Sequence, residues 1–148
     1  MLYIFMGQSC SGKSTIVNKV KELANATVFT GKDYLRMAKN ENEAWNLFYA
    51  KLSDAALNKD ETVVYVITEQ EQLKRISDLE GVKKIKFTAS LDTIKSRFAE
   101  RMNGRLAQPV ETMLEKQYSE WESIIGDRNV DTTENIDVEK IARQILGL

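Results

Sequence analysis

The sequence contains no histidine, and it has one cysteine and one proline among its 148 residues. Without histidine the chain cannot form a Ser-His-Asp triad, a Cys-His pair or an H-E-x-x-H zinc site. The single cysteine, Cys10, cannot form an internal disulfide, so we expect a reducing, cytoplasmic setting. Any catalysis must therefore rely on other polar groups.

Long apolar runs and an excess of one charge are also absent. The longest apolar runs, Leu2–Met6 and Val63–Ile67, fall far short of the about 20 residues that span a bilayer. The 21 basic and 22 acidic residues leave a net charge of −1. We therefore expect neither a membrane nor a long nucleic acid as a partner.

Short apolar runs alternate with longer stretches whose apolar residues recur every three or four positions. The runs predict strands at Leu2–Met6, 27–29, Val63–Ile67, 82–87 and 129–131. The longer stretches predict helices at 16–24, 45–55, 71–79, 91–102, 110–125 and Val138–Leu146. This alternation predicts one α/β domain over 1–148, a three-layer sandwich around a parallel sheet of about five strands.

One of the amphipathic stretches allows a second interpretation. The stripe of Trp45, Phe48, Leu52 and Ala55 is typical of a helix packed on its own sheet, although it could instead form a dimer face. Core packing is favoured, and a homodimer stays open.

The segment directly after the first predicted strand reads GQSCSGKS and fits the Walker A pattern G-x-x-x-x-G-K-[ST]. Gly7 and Gly12 permit backbone conformations that turn successive N–H groups toward a phosphate, and the following helix adds its positive end. Lys13 is then placed to neutralise the β- and γ-phosphates, and the Ser14 hydroxyl to ligate Mg²⁺. The pattern predicts ATP and Mg²⁺ as cofactors, with Ser9, Cys10, Ser11 and Thr15 completing the nucleotide contacts.

The segment after the second predicted strand reads TGKDYLR and contains Asp33 and Arg36. These two residues are three apart, so on a helix they share a face just beyond a strand's carboxyl end, where ligands of α/β sheets bind. The alternative is that Asp33 caps a helix and Arg36 is solvated. We expect Asp33, Tyr34 and Arg36 to contact a phosphoryl acceptor.

Together these segments resemble the P-loop kinases of small molecules, the group that contains the nucleoside monophosphate kinases, shikimate kinase and gluconate kinase. TGKDYLR resembles the S-T-G-D-x-L-R segment of adenylate kinases, whose arginine binds the acceptor's phosphate, and also the D-x-x-R segments of polynucleotide and sugar kinases. Residues 88–101 resemble the helix that leads into the lid of these kinases, and the ending VDTT with a final amphipathic helix is also similar. The resemblance implies a P-loop kinase fold with a short lid at about 101–109.

Three arginines fall on or beside this implied lid. Arg97, Arg101 and Arg105 recur every four residues, and guanidinium groups stabilise the charge of a transferring phosphoryl group. We expect at least one of them to act in catalysis, together with Lys13. The alternative is a solvated basic face paired with neighbouring carboxylates.

The segment after the third predicted strand departs from the adenylate kinase pattern. It reads ITEQE rather than D-G-[FY]-P-R, and no aspartate ends the strand. Either Glu69 or Asp33 is a candidate for indirect assistance to Mg²⁺, and Glu69 is also a candidate acceptor contact.

Two acceptor chemistries therefore stay open within a predicted ATP-dependent phosphotransferase. A nucleoside monophosphate, which Arg36 and the TGKDYLR segment favour, needs no general base because its second phosphate pKa is about 6. A hydroxyl acceptor, such as a shikimate-like or gluconate-like compound or a nucleic-acid 5′-hydroxyl, needs a carboxylate such as Asp33 to accept its proton. A P-loop NTPase or nucleotide-binding switch without a small acceptor is the alternative from another class.

Overall fold

Five parallel strands form the central sheet of the computed structural model, which describes all 148 residues. The strands are β1 (Leu2–Met6), β2 (Thr27–Thr30), β3 (Val63–Ile67), β4 (Val82–Thr88) and β5 (Arg128–Asp131). Their order is β2-β3-β1-β4-β5, so β1 lies in the middle and all five of its residues are buried. A strand covered on both faces needs no alternation of polar residues, which explains the continuous apolar run.

Helices cover both faces of this sheet. They are α1 (Lys13–Ala24), α2 (Glu41–Leu57), α3 (Gln70–Arg75), α4 (Leu91–Arg101), α5 (Gln108–Glu122) and α6 (Val138–Leu146), and a short 3₁₀ helix spans Asp33–Met37. The predicted three-layer α/β architecture is thus confirmed. None of the helices has the length and apolar character needed to cross a membrane.

Some predicted helix boundaries were wrong. The helix predicted at 71–79 ends at Arg75, and the chain then turns through hydrogen bonds from Ser77 N and Leu79 N to the carbonyls three residues earlier. The helix predicted from residue 110 already begins at Gln108, because proline is well tolerated in the first turn, where its missing N–H has no partner to lose.

Two apolar clusters hold the helices on the sheet. One lies under α2 and α5 and contains Phe48, Leu52 and Trp121. The other lies under α1 and α6 and contains Ile16 and Ile145. Full burial of Phe48 and Leu52 confirms that the α2 stripe packs on its own sheet, while a homodimer stays a prediction.

The segment that the resemblance assigns to a lid connects α4 to α5. Gly104 closes the end of α4 with a left-handed φ of 84° and donates a 2.7 Å hydrogen bond to the carbonyl of Ala99. This is a common way to end a helix, because glycine adopts the left-handed conformation without steric cost. This segment is therefore a short turn between two helices, and its role as a lid stays a prediction.

Candidate active site

The Walker A segment forms a tight loop between β1 and α1, held at both ends by close packing. A Cβ added to Gly7 would lie 2.4 Å from the carbonyl oxygen of Phe87, and one added to Gly12 would lie 2.6 Å from Oγ1 of Thr132. Gly12 also has a left-handed φ of 93°, which side chains rarely adopt. Both glycines are thus required by the shape of the loop, and that shape suits a phosphate cradle.

Lys13 spans this loop from the first turn of α1. Its Nζ donates to the carbonyl of Gly7 at 2.5 Å and to that of Gln8 at 2.7 Å, and Oγ of Ser11 lies at 3.4 Å. Only 7% of the residue is exposed, and burial lowers the pKa of Lys13 from its usual value to about 8. The ammonium group is thus held at the cradle in an environment that lacks an anion to compensate its charge.

Most of the predicted nucleotide contacts line one cavity of about 250 Å³ at the mouth of the loop. Those residues are Ser9, Cys10, Gly12, Lys13, Ser14 and Thr15. Gly7 and Ser11 lie behind them, where Gly7 N donates to the carbonyl of Ile67 and Ser11 is buried. The Cys10 side chain packs with Ala89, Ile94 and Leu114, so it serves as a small packed residue of the loop.

Ser14 is the residue that would hold a magnesium ion. Its side chain is exposed at the cavity, and no group of three or more acidic residues or cysteines is arranged to bind a metal. Mg²⁺ commonly keeps several waters and binds through one or two protein ligands plus substrate phosphates. The residues present therefore fit a magnesium ion carried by the nucleotide rather than a cage of protein ligands.

Arg97 and Thr132 fasten the loop from outside. Arg97 donates from Nη1 to the carbonyl of Cys10 and to Oγ1 of Thr132, both at 3.0 Å, and from Nη2 to the carbonyl of Thr132 at 2.5 Å. Thr132, 3% exposed, donates from Oγ1 to the carbonyl of Ser11 at 2.7 Å. These contacts indicate that Arg97 positions the loop, whereas the sequence pattern grouped it with the catalytic arginines.

The other two arginines are placed very differently. Arg101 lies one turn after Arg97. Its side chain makes no ion pair or hydrogen bond within the chain and lines the cavity at the loop mouth. It also lines a neighbouring cavity of about 300 Å³ with Thr15, Asn135 and Ile136. Arg105 is exposed in the turn after α4 and lines neither cavity. Arg101 is therefore the one predicted catalytic arginine that reaches the loop mouth with its guanidinium free.

Asp33 and Arg36 lie on the 3₁₀ helix beyond β2. Thr30 and Gly31 at the end of β2 line the loop mouth, whereas Asp33 and Arg36 do not. Oδ2 of Asp33 accepts from the backbone N–H of Thr30 at 2.8 Å and from its hydroxyl at 3.1 Å. Oδ1 of Asp33 and the exposed guanidinium of Arg36 make no hydrogen bond within the chain. Asp33 thus closes the turn and still offers one carboxylate oxygen.

Tyr34 takes a place in the core rather than at the site. It is 6% exposed, its ring stacks on Phe48 at 6.0 Å, and its hydroxyl donates to Glu41 at 3.2 Å. Its hydroxyl also accepts from Arg75, whose guanidinium lies 3.7 Å from the centre of the Trp45 ring. The burial favours a packing role for Tyr34, and Arg75 covers the aromatic cluster of Tyr34 and Trp45.

Glu69 ends the loop after β3 and begins α3. Its backbone N–H donates to Oε1 of Gln72 at 3.3 Å, and its side chain lines a cavity of about 340 Å³ with Lys74, Lys116 and Glu120. That cavity shares Thr68 with the loop mouth, while Ser14 lines only the latter. The structure therefore brings Glu69 to a neighbouring cavity and does not bring it together with Ser14.

Comparison by sequence finds no matching protein-family model and no significantly similar curated protein. Comparison of structures does find proteins of similar fold. A shikimate kinase from Bacteroides thetaiotaomicron has a TM-score of 0.65 at 12% identity, covering 100% of this chain and 99% of the other. The YorR protein from Bacillus subtilis, solved in complex with phosphorylated GDP, has a TM-score of 0.64 at 21% identity over 99% and 94%. The chain has the fold of the small P-loop kinases.

A gluconokinase from Sinorhizobium meliloti 1021 shares this P-loop kinase fold, with a TM-score of 0.61 at 17% identity over 98% of this chain and 89% of the other. The predicted fold class is therefore confirmed over nearly the whole chain. The ligands and activities for which these proteins are named differ from one another, so the fold alone does not identify the acceptor of this chain.

Proposed function

We propose that this protein is an ATP-dependent phosphotransferase that moves the γ-phosphoryl group of ATP to a small acceptor. This proposal rests on the loop mouth, where the buried Lys13 ammonium, the Ser14 hydroxyl and the free Arg101 guanidinium line one cavity. A lysine, a hydroxyl and an arginine around a glycine-bounded loop are the groups that phosphoryl transfer requires. The shared fold of small-molecule kinases supports the same assignment.

The donor nucleotide would extend from the loop into the cavity beside it. That cavity shares Cys10, Gly12 and Thr15 with the loop mouth and has apolar walls from Ile136 and Val138. A purine ring offers flat apolar faces and polar edges, which suits walls of this mixed kind. We therefore assign this cavity to the base of ATP.

A nucleoside monophosphate is our first candidate acceptor. Arg36 is exposed beyond β2 with no partner in the chain, which leaves its planar guanidinium available for two parallel hydrogen bonds to a phosphate. The YorR structure, which holds phosphorylated GDP, shares the fold. The acceptor oxygen of such a substrate is already ionised near neutral pH, so the site would need to position it rather than deprotonate it.

A hydroxyl compound is the second candidate acceptor, favoured by a different observation. Oδ1 of Asp33 is free to accept a proton. The cavity beyond β3, which Glu69 lines, contains no arginine, and its three glutamates outnumber its two lysines. Such a lining disfavours a phosphate dianion. Shikimate kinase and gluconokinase, which share the fold, are named for acceptors with hydroxyl groups.

With either acceptor, the chain's own groups have distinct roles in the transfer. Lys13 and the loop N–H groups hold the phosphates, Arg101 stabilises the charge that spreads over the transferring group, and the acceptor segment after β2 aligns the attacking oxygen. Magnesium held by Ser14 and the phosphates would neutralise charge on the β- and γ-oxygens. With a hydroxyl acceptor, Asp33 also takes the proton.

A coupled ADP-release assay tests the proposal. MgATP is presented with ribo- and deoxynucleoside monophosphates, nucleosides, shikimate and gluconate, one at a time. We expect ADP release to depend on one acceptor class and to fall by about 10²–10³ in Lys13→Met, by analogy with the loss of one transition-state donor. ADP release at the same rate with no acceptor would contradict the proposal and indicate an NTPase or switch.

The Asp33→Asn variant then separates the two acceptor chemistries. With a hydroxyl acceptor we expect kcat to collapse, because the amide cannot take a proton. With a nucleoside monophosphate we expect mainly a higher KM, because positioning rather than proton transfer is lost. If both kcat and KM are unchanged, the acceptor segment is assigned wrongly.

A further inference from the structure

A separate cavity of about 360 Å³ lies where the ends of β4 and β5 meet α5. It shares no lining residue with the loop mouth, and of the Walker A segment only Gln8 and Ser11 reach it. The proposed phosphotransferase reaction uses none of its other lining residues. This cavity is therefore a candidate for a binding site of its own.

A buried lysine forms part of the cavity wall. Lys86 lies on β4 between Ile85 and Phe87, which pack into the cluster under α1 and α6. Because side chains alternate along a strand, Lys86 points to the opposite face, toward α5. The residue is 8% exposed, yet no carboxylate lies within 4 Å of its ammonium and no hydrogen bond within the chain engages it. Gln117 Oε1, and not the Lys86 ammonium, is the buried polar atom that lacks a partner. The ammonium therefore opens onto the cavity, where it is available to pair with an anionic group.

Negative groups line the same cavity nearer to solvent. Glu122, at the end of α5, is exposed and too far from Lys86 to form an ion pair, although its charge acts to raise the pKa of that lysine against the lowering caused by burial. Asp131 follows on β5, with Oδ1 accepting from the N–H and hydroxyl of Thr133 at 2.9 and 2.6 Å. The cavity thus offers a positive group on its β4 wall and outer negative groups that form no ion pair with it.

The rest of the wall is apolar. Tyr118 and Trp121 of α5 and Ile94 of α4 contribute rings and an aliphatic side chain. The indole N–H of Trp121 already donates to the carbonyl of Thr68 at 2.9 Å, so the ring presents apolar surface to the cavity. A ligand that fills this space should carry an apolar side chain in addition to its charges.

We propose that this cavity binds a small zwitterion with an apolar side chain, the chemistry of an apolar α-amino acid. Its carboxylate would pair with Lys86 and its ammonium group would face Glu122. The charge balance decides between ligand types: one lysine against two carboxylates makes the lining net negative, which disfavours a phosphate dianion. A simple amine would leave Lys86 unpaired. This inference does not depend on the proposed kinase activity.

Isothermal titration calorimetry with three matched probes tests the proposal. L-phenylalanine carries both charges, 3-phenylpropanoate lacks the ammonium group and 2-phenylethylamine lacks the carboxylate. We expect saturable binding of phenylalanine with Kd below about 1 mM and at least about tenfold weaker binding of each analogue. No saturable binding of phenylalanine, or equal binding of either analogue, would overturn the proposal.

Two variants assign any binding to this cavity. Lys86→Met, a change of similar size that removes the charge, should weaken phenylalanine binding at least about tenfold, and the exposed Glu122→Gln should weaken it without risk to folding. Lys84→Met, two residues earlier on the same face of β4 and outside the lining, is the control and should bind as the parent does. Circular dichroism checks that each variant is folded. If both cavity variants bind phenylalanine as the parent does, the site lies elsewhere and the proposal is wrong.

Discussion

At the scale of single residues, Lys13 shows how the loop prepares for a phosphate. Its ammonium is held by two carbonyl oxygens at 2.5 and 2.7 Å, which orient the positive group without neutralising it. Burial without a counter-ion is what lowers the pKa of Lys13 to about 8. A bound phosphate would supply the missing negative charge and raise that pKa again.

Nucleotide binding should therefore weaken at alkaline pH. Below pH 8 the Lys13 side chain is charged before and after binding, so Lys13 should cause no change of the MgATP affinity with pH in this range. Above pH 8 the free protein loses this proton, and the affinity should fall by up to about tenfold per pH unit until the pKa of the bound state is reached. Calorimetry between pH 7 and 9.5 measures the change. The Lys13→Met variant should bind MgATP more weakly, and its affinity should not show the fall above pH 8 that Lys13 causes. If the variant and the parent show the same dependence of affinity on pH, Lys13 is not part of the nucleotide site.

The same shift has a consequence for folding. The unfolded chain keeps the usual pKa of 10.5 for this lysine, whereas the folded chain has about 8. Between these values the unfolded state binds more protons, so the free energy of unfolding of the nucleotide-free protein should rise with pH. Urea denaturation at pH 7.5 and 9.5 should show a larger gain in the parent than in Lys13→Met, because all other titrating groups are common to both. An equal gain would contradict the lowered pKa.

A comparison of Gly12 with Gly104 tests how tightly the loop is packed. Both glycines have left-handed conformations, but their surroundings differ. A Cβ at Gly12 would meet Thr132 at 2.6 Å, while one at Gly104 would meet nothing within 4 Å. We expect Gly104→Ala to cost about 1 kcal/mol from backbone strain alone, and Gly12→Ala to cost about 2 kcal/mol more from overpacking and to lose nucleotide binding. Thermal melts with and without MgATP measure both effects. Equal losses in the two variants would mean that the loop is not held by Thr132.

At the scale of elements, α4 carries two arginines with opposite placements. Arg97 ties the loop and the end of β5 through three hydrogen bonds, and Arg101 makes none and faces the loop mouth. Spacing along the helix could predict that both lie on one side, but not which of them meets a backbone carbonyl. That distinction depends on where β5 ends, which is set by tertiary contacts.

The two arginines should therefore separate stability from catalysis. Arg97→Met should lower the free energy of unfolding by about 1–3 kcal/mol, because carbonyl groups of Cys10 and Thr132 lose their partner. Arg101→Met should leave stability unchanged and lower the rate of phosphoryl transfer by about 10², the loss typical of one transition-state donor. Chemical denaturation and the ADP-release assay measure the two quantities. If Arg101→Met is the destabilised variant and Arg97→Met is not, the roles are reversed.

Elements with strong local signals could be predicted from the sequence, and those set by packing could not. The buried runs of β1 and β3 and the amphipathic α6 were predicted with their exact bounds. The 3₁₀ helix after β2 has no such periodicity; its first residue, Asp33, turns back to bind Thr30. The burial of Lys86 was also not predicted, because the third lysine of the sequence KKIKF gives no sign that α5 will cover it.

At the scale of the whole molecule, a bound nucleotide would add contacts between elements that Arg97 and Thr132 already hold together. The loop after β1, the arginines of α4 and the segment after β5 all line the two adjoining cavities assigned to ATP. A ligand that binds only this folded arrangement stabilises the protein by about 2.7 kcal/mol at a concentration of 100 times Kd. For a chain of roughly this size, that corresponds to a rise of about 5–10 °C in the melting temperature.

Differential scanning fluorimetry with MgATP should therefore show a rise of that order. ATP with EDTA should give a smaller shift, since the ion that Ser14 and the phosphates would share is removed. Lys13→Met should show almost no shift with either. An equal shift in the parent and in Lys13→Met would mean that ATP binds away from the Walker A loop; in that case the shared fold would be a scaffold for a different activity.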